Sequence, residues 1–596
     1  MSLTIRLLGA PCLERDSAPV AGPRGHKAWA LLAYVLLCRG LPSRQRLAEL
    51  FFSEADDPLG SLRWNLAELR RALGQPDALR GDPVDLALDP GTEVDLHLVS
   101  RVGIPDADVV ERLTGELLAG VRFATVPALD AWLVVERQRV AAAVQALLYE
   151  RAQAELSAGH PHVTARVAQR LVEINPLDEE YQELLVRGLM AAGDGAAALA
   201  RVEACEDLFQ RELGTAPSRR LRSLLRVAGD AQRRGTVGGA AAARAQLETG
   251  RASIAAGAFE SGLDCLKRAY AEAESCGDDY LHARASLALG SALVHAMVEH
   301  GEAAAVLHRA AEIARRIGAH AIAATAHREL AFVDLQAGRR ERATAWLDQA
   351  AEEAAGSDEE LASISGVRGV NLSDAARYEE ALECFEDSVV RAGRCGHGRQ
   401  VAWSTAFIGR VHLLTGRLGP ARNALERSLE LAEEEKWIAF EPLPESLLAH
   451  VDLQEGHLDR AREALEHAFT IACQVSDPCW EGLSCRGLGL IEAKRGRNAR
   501  AIAWLSDARA RCTRVANPYQ WMHGWVLDAM CTVAAEDDRA PGWIEELASL
   551  AARTGMRELV VRAYLHRGGR GDRSALDAAR LLGADIANPT LGGHAK

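Results

Sequence analysis

The chain has 596 residues, of which 48% are hydrophobic and 26% charged, a balance that is ordinary for a globular protein of several domains. Its formal net charge of -14 excludes a protein that coats nucleic acid over its whole surface, although a local basic site is compatible with it. No N-terminal signal segment is visible, and the apolar run from Ala28 to Cys38 is too short to span a bilayer, so we expect a cytoplasmic protein without membrane contact.

The first hundred residues mix strand and helix patterns. The stretch LTIRLLG predicts a short apolar strand, and PVDLALDPGTEVDLHLV shows strand-like alternation with turn residues. Between them, the spacing of apolar residues predicts three helices, over roughly His26–Arg39, Ser43–Phe51 and Pro58–Leu73. From about Asp108 onward, the pattern is typical of helices joined by short turns.

The third of these helices has one apolar and one polar side. Asp57 followed by Pro58 predicts its start, and Gly74 predicts its end. Its leucines recur at spacings of three and four and therefore share one side: Leu59, Leu62, Leu66, Leu69 and Leu73. The opposite side and its flanks hold the polar residues and one tryptophan: Gly60, Arg63, Trp64, Asn65, Glu68, Arg70 and Arg71.

A charged helix side is most often only solvated, and arginines near a helix C-terminus are favoured by the helix dipole. Trp64 argues for a second interpretation, because a lone tryptophan is uncommon in water. The preceding helix begins at Ser43 and carries Arg44 and Arg46 in its first turn, and a hairpin-like segment, LRGDPVDLAL with Arg80 at its tip, follows the third helix. Three helices followed by a hairpin describe a winged helix-turn-helix, whose third helix enters the major groove of DNA.

The last part of the chain is an internal repeat with an interval of about forty residues. The first helix of each unit holds a small residue: Gly250, Gly290, Ala331, Gly369, Gly409, Ala449 and Gly489. The second helix holds a large apolar residue: Leu266, Leu307, Leu347, Phe385, Leu425, Leu465 and Leu505. Most turns between the two helices hold a glycine: Gly257, Gly338, Gly416, Gly456 and Gly496. Small residues let two antiparallel helices approach closely, so the pattern predicts stacked hairpins that form a solenoid with a concave surface.

Several stretches resemble a known family. RLLGAP, GHKAWALLAYVLL, SRQRLAELFF and LGSLRWNLAELRRALG look like the DNA-binding half of SARP-type bacterial transcriptional activators, whose winged helix is OmpR-like. LDAWLVVERQRV and INPLDEEYQELLVRGLMAAGDGAAALARVEACEDLFQRELGTAPS look like their bacterial transcriptional activation domain (BTAD), and the repeats resemble tetratricopeptide (TPR) repeats. The resemblance implies a mainly α-helical protein: a winged-helix domain with a small β-sheet and a wing at 1–100, a helical BTAD at 101–232 and a TPR-like solenoid at 240–596.

Such a fold gives the third helix an expected role in binding double-stranded promoter DNA. Arginine makes paired hydrogen bonds to phosphates or to guanine edges, and this is the role predicted for Arg63, Arg70 and Arg71. Trp64 is expected to pack against a sugar, a thymine methyl group or a partner protomer.

Further DNA contacts are expected from polar residues around this helix. Ser61 and Asn65 are predicted polar contacts. Lys27 and Arg44 lie near helix N-termini, where a phosphate also meets backbone amides. Arg80 is expected to touch the DNA backbone from the wing.

The loop FSEADD before the third helix resembles the segment that related activators present to RNA polymerase; its carboxylates suit a basic polymerase surface and suit a solvated loop equally well. Phe52 stands where the family often has a tryptophan, and Trp64 replaces a residue that is usually polar. The first hundred residues hold eleven basic and thirteen acidic side chains, so we expect a modest, salt-sensitive DNA affinity. A homodimer, or binding to direct-repeat sites, would compensate through multivalency.

The solenoid predicts recognition of an effector protein or small ligand on its concave face; the alternative is a spacer or a dimer scaffold. Five histidines fall in one stretch without metal-ligand spacing and are expected on the surface: His282, His295, His308, His320 and His327.

Local motifs of catalysis, such as GxxxxGK[ST], HExxH and the nucleophile elbow, are missing from the sequence. We therefore predict no enzyme activity, no cofactor and no metal. Two hypotheses remain: a promoter-binding activator whose solenoid senses a partner, and a repeat-based adaptor whose winged helix has become a protein contact.

Overall fold

The computed structural model describes residues 3–16, 18–38, 41–99, 113–123, 125–157, 159–217, 221–222, 224–225, 239–255, 258–295, 300–354, 356–515, 518–589 and 591. The predicted domain limits at 100 and 232 and the turn residue Gly257 lie outside these ranges, so the limits stay predictions.

A small sheet opens the chain. Its strands are β1 Leu3–Arg6, β2 Cys12–Arg15, β3 Ala18–Val20 and β4 Glu93–Val94, in the order β3-β2-β1-β4. β4 runs parallel to β1, and the other two pairs are antiparallel. The apolar pattern predicts β1, but it misses β2 and β3 because CLER and APV show no apolar alternation.

Three helices follow the first strands: α1 His26–Leu37, α2 Arg44–Phe52 and α3 Pro58–Leu73. Their ends lie within two residues of the predicted ones. α3 begins as predicted, since the Asp57 carboxylate accepts a hydrogen bond of 2.8 Å from the amide of Gly60. It ends at Gly74, which has a left-handed φ of 67° that glycine adopts without strain.

The segment after α3 differs from the prediction. The expected hairpin is reduced to a single bridge between Arg80 and Asp85, which places Arg80 at the base of the turn and not at its tip. The carbonyls of Ala78 and Leu79 accept hydrogen bonds from the Arg70 guanidinium, which takes the place of a longer ladder.

The strand-like alternation predicted before residue 100 is also wrong for most of its length. After β4 the chain forms a short helix, α4 Asp95–Val99. The Asp95 carboxylate accepts hydrogen bonds from the amides of Leu7 and Leu8, at 2.7 and 2.8 Å, and so fixes the start of α4 beside the end of β1.

The middle of the chain is helical. It comprises α5 Pro127–Ser157, α6 Pro161–Ile174, α7 Glu179–Ala191 and α8 Gly195–Leu213. One hydrophobic core continues from β1 to α7, and the rings of Tyr34 in α1 and Trp132 in α5 lie 5.2 Å apart. The predicted winged helix and BTAD are therefore packed as one body at this junction.

The remainder is a stack of antiparallel helices. Their bounds are α9 Ala240–Ala255, α10 Phe259–Cys276, α11 Asp279–His295, α12 His300–Arg316, α13 His320–Gln336, α14 Arg340–Glu353, α15 Asp358–Asp374, α16 Tyr378–Cys395, α17 Gly398–Leu414, α18 Leu418–Glu434, α19 Pro442–Glu455, α20 Leu458–Val475, α21 Pro478–Lys494, α22 Asn498–Cys512, α23 Gln520–Val533, α24 Ala540–Arg553, α25 Arg557–Gly569 and α26 Arg573–Gly583. The predicted columns are confirmed: a Cβ on Gly290 would lie 2.6 Å from Leu307, and a Cβ on Gly409 would lie 2.5 Å from Leu425.

The inner side of the solenoid is closed. The first helices of neighbouring repeats contact one another, and α19, α21 and α23 are buried on nearly every side. Contacts across the stack join early repeats to the C-terminal helices: Arg340 donates to the carbonyl of Thr554 at 3.3 Å, and Tyr378 donates to Glu558. The open concave face predicted for a partner is thus filled, in the described part of the chain, by the protein's own helices.

The N-terminal half packs against this stack. Arg139 of α5 pairs with Glu341 of α14 at 2.8 Å. Arg46 of α2 donates to the carbonyl of Leu581 and lies 3.8 Å from Asp585, next to the C-terminal helix. In the described ranges, all helices are too short or too polar to cross a lipid bilayer.

Three of the five histidines predicted on the surface are mostly or fully buried: His282, His308 and His327. The rings of His308 and His327 lie 5.3 and 5.1 Å from that of Trp346, and His282 lies 5.2 Å from Tyr270. The surface prediction is wrong for these three because an imidazole with an aromatic neighbour packs as an aromatic ring does.

Candidate nucleic-acid interface

The exposed side of α3 is the candidate interface. Leu62 and Leu66 are buried and anchor the helix on the winged-helix core. On the opposite side, the side chains of Arg63 and Arg71 are 67% and 60% exposed, and Trp64 is 56% exposed. A short helix therefore presents two guanidinium groups and an indole to solvent.

Arg71 is held in a fixed orientation. Its Nε and Nη2 donate to the two carboxylate oxygens of Glu68, at 3.1 and 2.6 Å. Glu68 also accepts a 3.1 Å hydrogen bond from the backbone amide of Arg24. These hydrogen bonds, chiefly the one from Arg71, lower the pKa of Glu68. Glu68 therefore stays charged and holds the Arg71 side chain in place.

A shallow concavity of 580 Å³ lies at the N-terminal end of α3. Its wall includes the half-buried Ser61 and the exposed Trp64. Lys27 pairs with Glu54 there and lies 5.1 Å from the centroid of the Phe52 ring. Lys27 is thus engaged within the protein.

Two residues predicted to contact DNA make hydrogen bonds within the protein. Asn65 is 6% exposed, and its amide donates to the carbonyl of Ser61 at 2.9 Å. Arg70 donates to the carbonyls of Ala78 and Leu79, both at 3.0 Å. Burial, the largest effect, lowers the pKa of Arg70, and nearby Arg44 and Arg80 lower it further. Their role as direct DNA contacts stays a prediction, and in this structure the Asn65 amide and the Arg70 guanidinium bind backbone carbonyls.

Arg70→Ala should therefore act on stability. The substitution leaves the carbonyls of two buried residues without a donor, and we expect a loss of about 1–3 kcal/mol in the free energy of unfolding of the winged helix. Urea denaturation followed by tryptophan fluorescence measures it. Arg71→Ala is the control and should leave the unfolding transition nearly unchanged; equal losses in the two variants would contradict the assignment.

The N-terminus of α2 was predicted as a phosphate site with Arg44. The amide of Arg44 donates to the Asp82 carboxylate at 2.9 Å, and its guanidinium donates to the carbonyl of Gly81 at 2.9 Å. The Asp82 carboxylate thus occupies the N-terminus of α2, and the phosphate contact of Arg44 stays a prediction. Arg80 keeps an exposed guanidinium, 2.9 Å from Asp77.

Sequence reasoning missed Arg24 and His26. Both are exposed, and the amide of Arg24 binds Glu68 next to Arg71. The basic cluster in GPRGHKA, which spans the start of α1, is the signal that marks them.

Among the residues that the structure describes, one group could hold a metal by distance: Asp452, Glu455 and His457. Asp452 is bound by Arg422 and Arg460.

The described parts of the chain thus comprise a small sheet with three helices, of which the third is exposed, a helical middle region and a stack of helical hairpins. Residues 114–227 match the family described as bacterial transcriptional activator domain, and residues 360–434 match tetratricopeptide repeat. The chain therefore contains a BTAD and TPR repeats, and the predicted resemblance to SARP-type activators is confirmed for these two parts.

Solved structures show distant likeness. EmbR of Mycobacterium tuberculosis, in complex with a low affinity phosphopeptide, is 20% identical, with a TM-score of 0.27; the match covers 38% of this chain and 64% of that one, just under two thirds of its length. Aspartyl phosphate phosphatase F of Bacillus subtilis is 12% identical, with a TM-score of 0.37 and coverage of 77% and 98%. No curated protein matches the chain.

Proposed function

We propose that this protein binds promoter DNA through α3 and activates transcription through contact with RNA polymerase. The observation that carries the proposal is the exposed side of α3, where Arg63, Trp64 and Arg71 lie together ahead of a transcriptional activator domain. Guanidinium groups bind phosphates and guanine edges, and a helix of this size fits the major groove. Arg80 and Arg24 are candidate backbone contacts beside it.

Polymerase contact is proposed for the loop before α3. Asp56 and Asp57 are exposed there. Asp57 also caps α3 and lies 3.6 Å from Arg63, and Glu54 is engaged by Lys27. The acidic loop and the exposed Trp64 share one concavity, a combination that suits a basic protein surface.

The double variant R63A/R71A should lose DNA affinity. Each guanidinium supplies a phosphate or base contact, so we expect a loss of about tenfold or more, with a shallower dependence of affinity on salt. A mobility-shift titration with the DNA upstream of the protein's own gene, at several salt concentrations, measures both.

Arg427→Ala provides the matched control. Arg427 makes the same kind of contact, with a glutamate three residues away at 2.9 Å, but on the outside of the solenoid. It should leave DNA affinity unchanged. Equal DNA affinities of the double variant and the wild type would contradict the proposal.

The second candidate function is an adaptor whose winged helix binds protein. The exposed Trp64 beside three acidic residues favours it, because aromatic residues are enriched in protein interfaces. If the protein is such an adaptor, it does not retard DNA in the mobility-shift assay even at low salt, and Trp64→Ala weakens its binding to a protein partner.

A further inference from the structure

The contact between α5 and the solenoid contains a carboxylate site. Glu150 of α5 is buried and lies among two arginines and a histidine of the solenoid. Arg342 donates to it, His308 Nε2 lies 3.6 Å from Oε2, and Arg339 Nη2 lies 3.9 Å from Oε1. We call Arg339, Arg342 and His308 the cationic cluster.

The cluster holds its carboxylate as an ion. Burial alone would raise the pKa of Glu150, but Arg342, with help from His308 and Arg339, lowers it far below the usual range. Arg342 is only 2% exposed, and its Nε and Nη1 make no hydrogen bond in the described part of the chain. Its Nε is 3.6 Å from Asp334. The cluster thus has donor capacity that Glu150 leaves unused.

A cavity opens directly on this cluster. It has a volume of 830 Å³ and lies between α5, α7, α12 and α24, with Glu150, His308 and Arg339 in its wall. This volume is in the range of small-molecule sites in proteins. Arg553 faces it from the far side and donates only to Gln520, at 3.4 Å, with no ion pair within the described ranges. A ligand in the cavity therefore meets Arg339 and Arg553 on the solenoid side, and it faces the carboxylates of Asp178, Glu179, Glu180 and Glu183 on the α7 side.

α5 packs tightly against the solenoid beside the site. A Cβ on Gly301 of α12 would lie 2.4 Å from the Tyr149 hydroxyl, one residue before Glu150. Whatever occupies the cationic cluster in place of Glu150 must therefore displace this part of α5.

We propose that the cationic cluster is a carboxylate-binding site of the solenoid, that Glu150 is its resident occupant, and that an acidic ligand competes with α5 for it. The carboxylate can come from a small dicarboxylic acid or from an acidic polypeptide segment. The consequence for promoter binding rests on the proposed function, whereas the site itself does not.

Glutarate is the small probe, and a synthetic peptide of residues 142–157 is the polypeptide probe. In the full chain, E150Q replaces the charged occupant by a neutral amide that Arg342 holds less strongly. Displacement of α5 then costs less, so E150Q should bind one or both probes about tenfold or more tightly than the wild type. Isothermal titration calorimetry measures the affinities. The peptide carrying E150Q should bind more weakly than the parent peptide. If only glutarate binds, the carboxylate comes from a small acid. If only the peptide binds, it comes from a polypeptide segment.

Controls separate the site from general charge effects. E546Q breaks another glutamate–arginine contact of the solenoid, with Arg509 at 2.9 Å, and should bind the probes as the wild type does. The double variant E150L/R342M replaces the buried pair by apolar side chains, which preserves folding, and should lose the response to both probes. Hydrogen exchange of 142–157 should rise when the wild type binds a probe.

Equal probe affinities in the wild type, E150Q and E150L/R342M would overturn the site. Failure of DNA binding, with these titrations unchanged, would overturn only the proposed function.

Discussion

Replacing Asp374 with alanine should lower the free energy of unfolding of the solenoid by about 3–5 kcal/mol. Asp374 is buried between two buried arginines, 3.2 Å from Arg340 and 2.7 Å from Arg410, and it accepts hydrogen bonds of 3.0 and 2.8 Å from the Tyr519 hydroxyl. Without the carboxylate, two guanidinium groups stay buried with less compensation. The contact joins α15 to the start of α23, so its loss should also loosen the closed inner side.

Urea denaturation of the full chain, followed by tryptophan fluorescence, measures this loss. Asp348→Ala is the matched control, because Asp348 contacts Arg368 at 2.7 Å but is well exposed. An exposed ion pair contributes under about 1 kcal/mol. If the two variants lose the same stability, the closure of the solenoid does not depend on the buried carboxylate.

Gly338→Ala should lower the free energy of unfolding of the solenoid nearly as much as Asp374→Ala does. Gly338 has a φ of 81°, where a side chain costs about 1–2 kcal/mol. Its Cβ would lie 2.4 Å from the Thr554 Cβ and 2.9 Å from the Thr554 Cα, so α13 and α14 would have to move away from α24. Overpacking of this kind adds about 1–3 kcal/mol.

Gly496→Ala separates the two effects. Gly496 lies in the equivalent turn of another repeat with a φ of 73°, and its added Cβ would meet no atom within 4 Å. We expect only the backbone strain there, seen as a smaller drop in the thermal unfolding temperature. Equal drops for Gly338→Ala and Gly496→Ala would mean that the contact with Thr554 is not tight in solution.

The sequence predicts the helices and the repeat because both depend on short-range periodicity. The leucines of α3, the cap at Asp57 and the stop at Gly74 all act within a few turns of the same helix. The repeat columns act between the two helices of one hairpin, as Gly409 and Leu425 do. The predicted hairpin is reduced to one bridge because the Arg70 guanidinium, a side chain from another element, binds the carbonyls of Ala78 and Leu79.

The candidate site was predicted in part. Arg63, Trp64 and Arg71 are exposed, as the helix pattern predicts. Asn65 and Arg70 lie on the same helix, but one is turned to its own backbone and the other to the segment after α3. An arginine looks the same in a sequence whether it meets solvent or a carbonyl, so the pattern alone cannot separate Arg70 from Arg71.

The sequence by itself determined the helices and the stack of hairpins through the local spacing of apolar and small residues, and the resemblance to a family indicated the activator domain between them. Only the tertiary structure decided which charges are free and which are occupied. Glu150 and Arg342 are 192 residues apart, and Asp374 and Tyr519 are 145 apart. Such contacts form because the superhelical path brings distant turns together, and no local periodicity records that path.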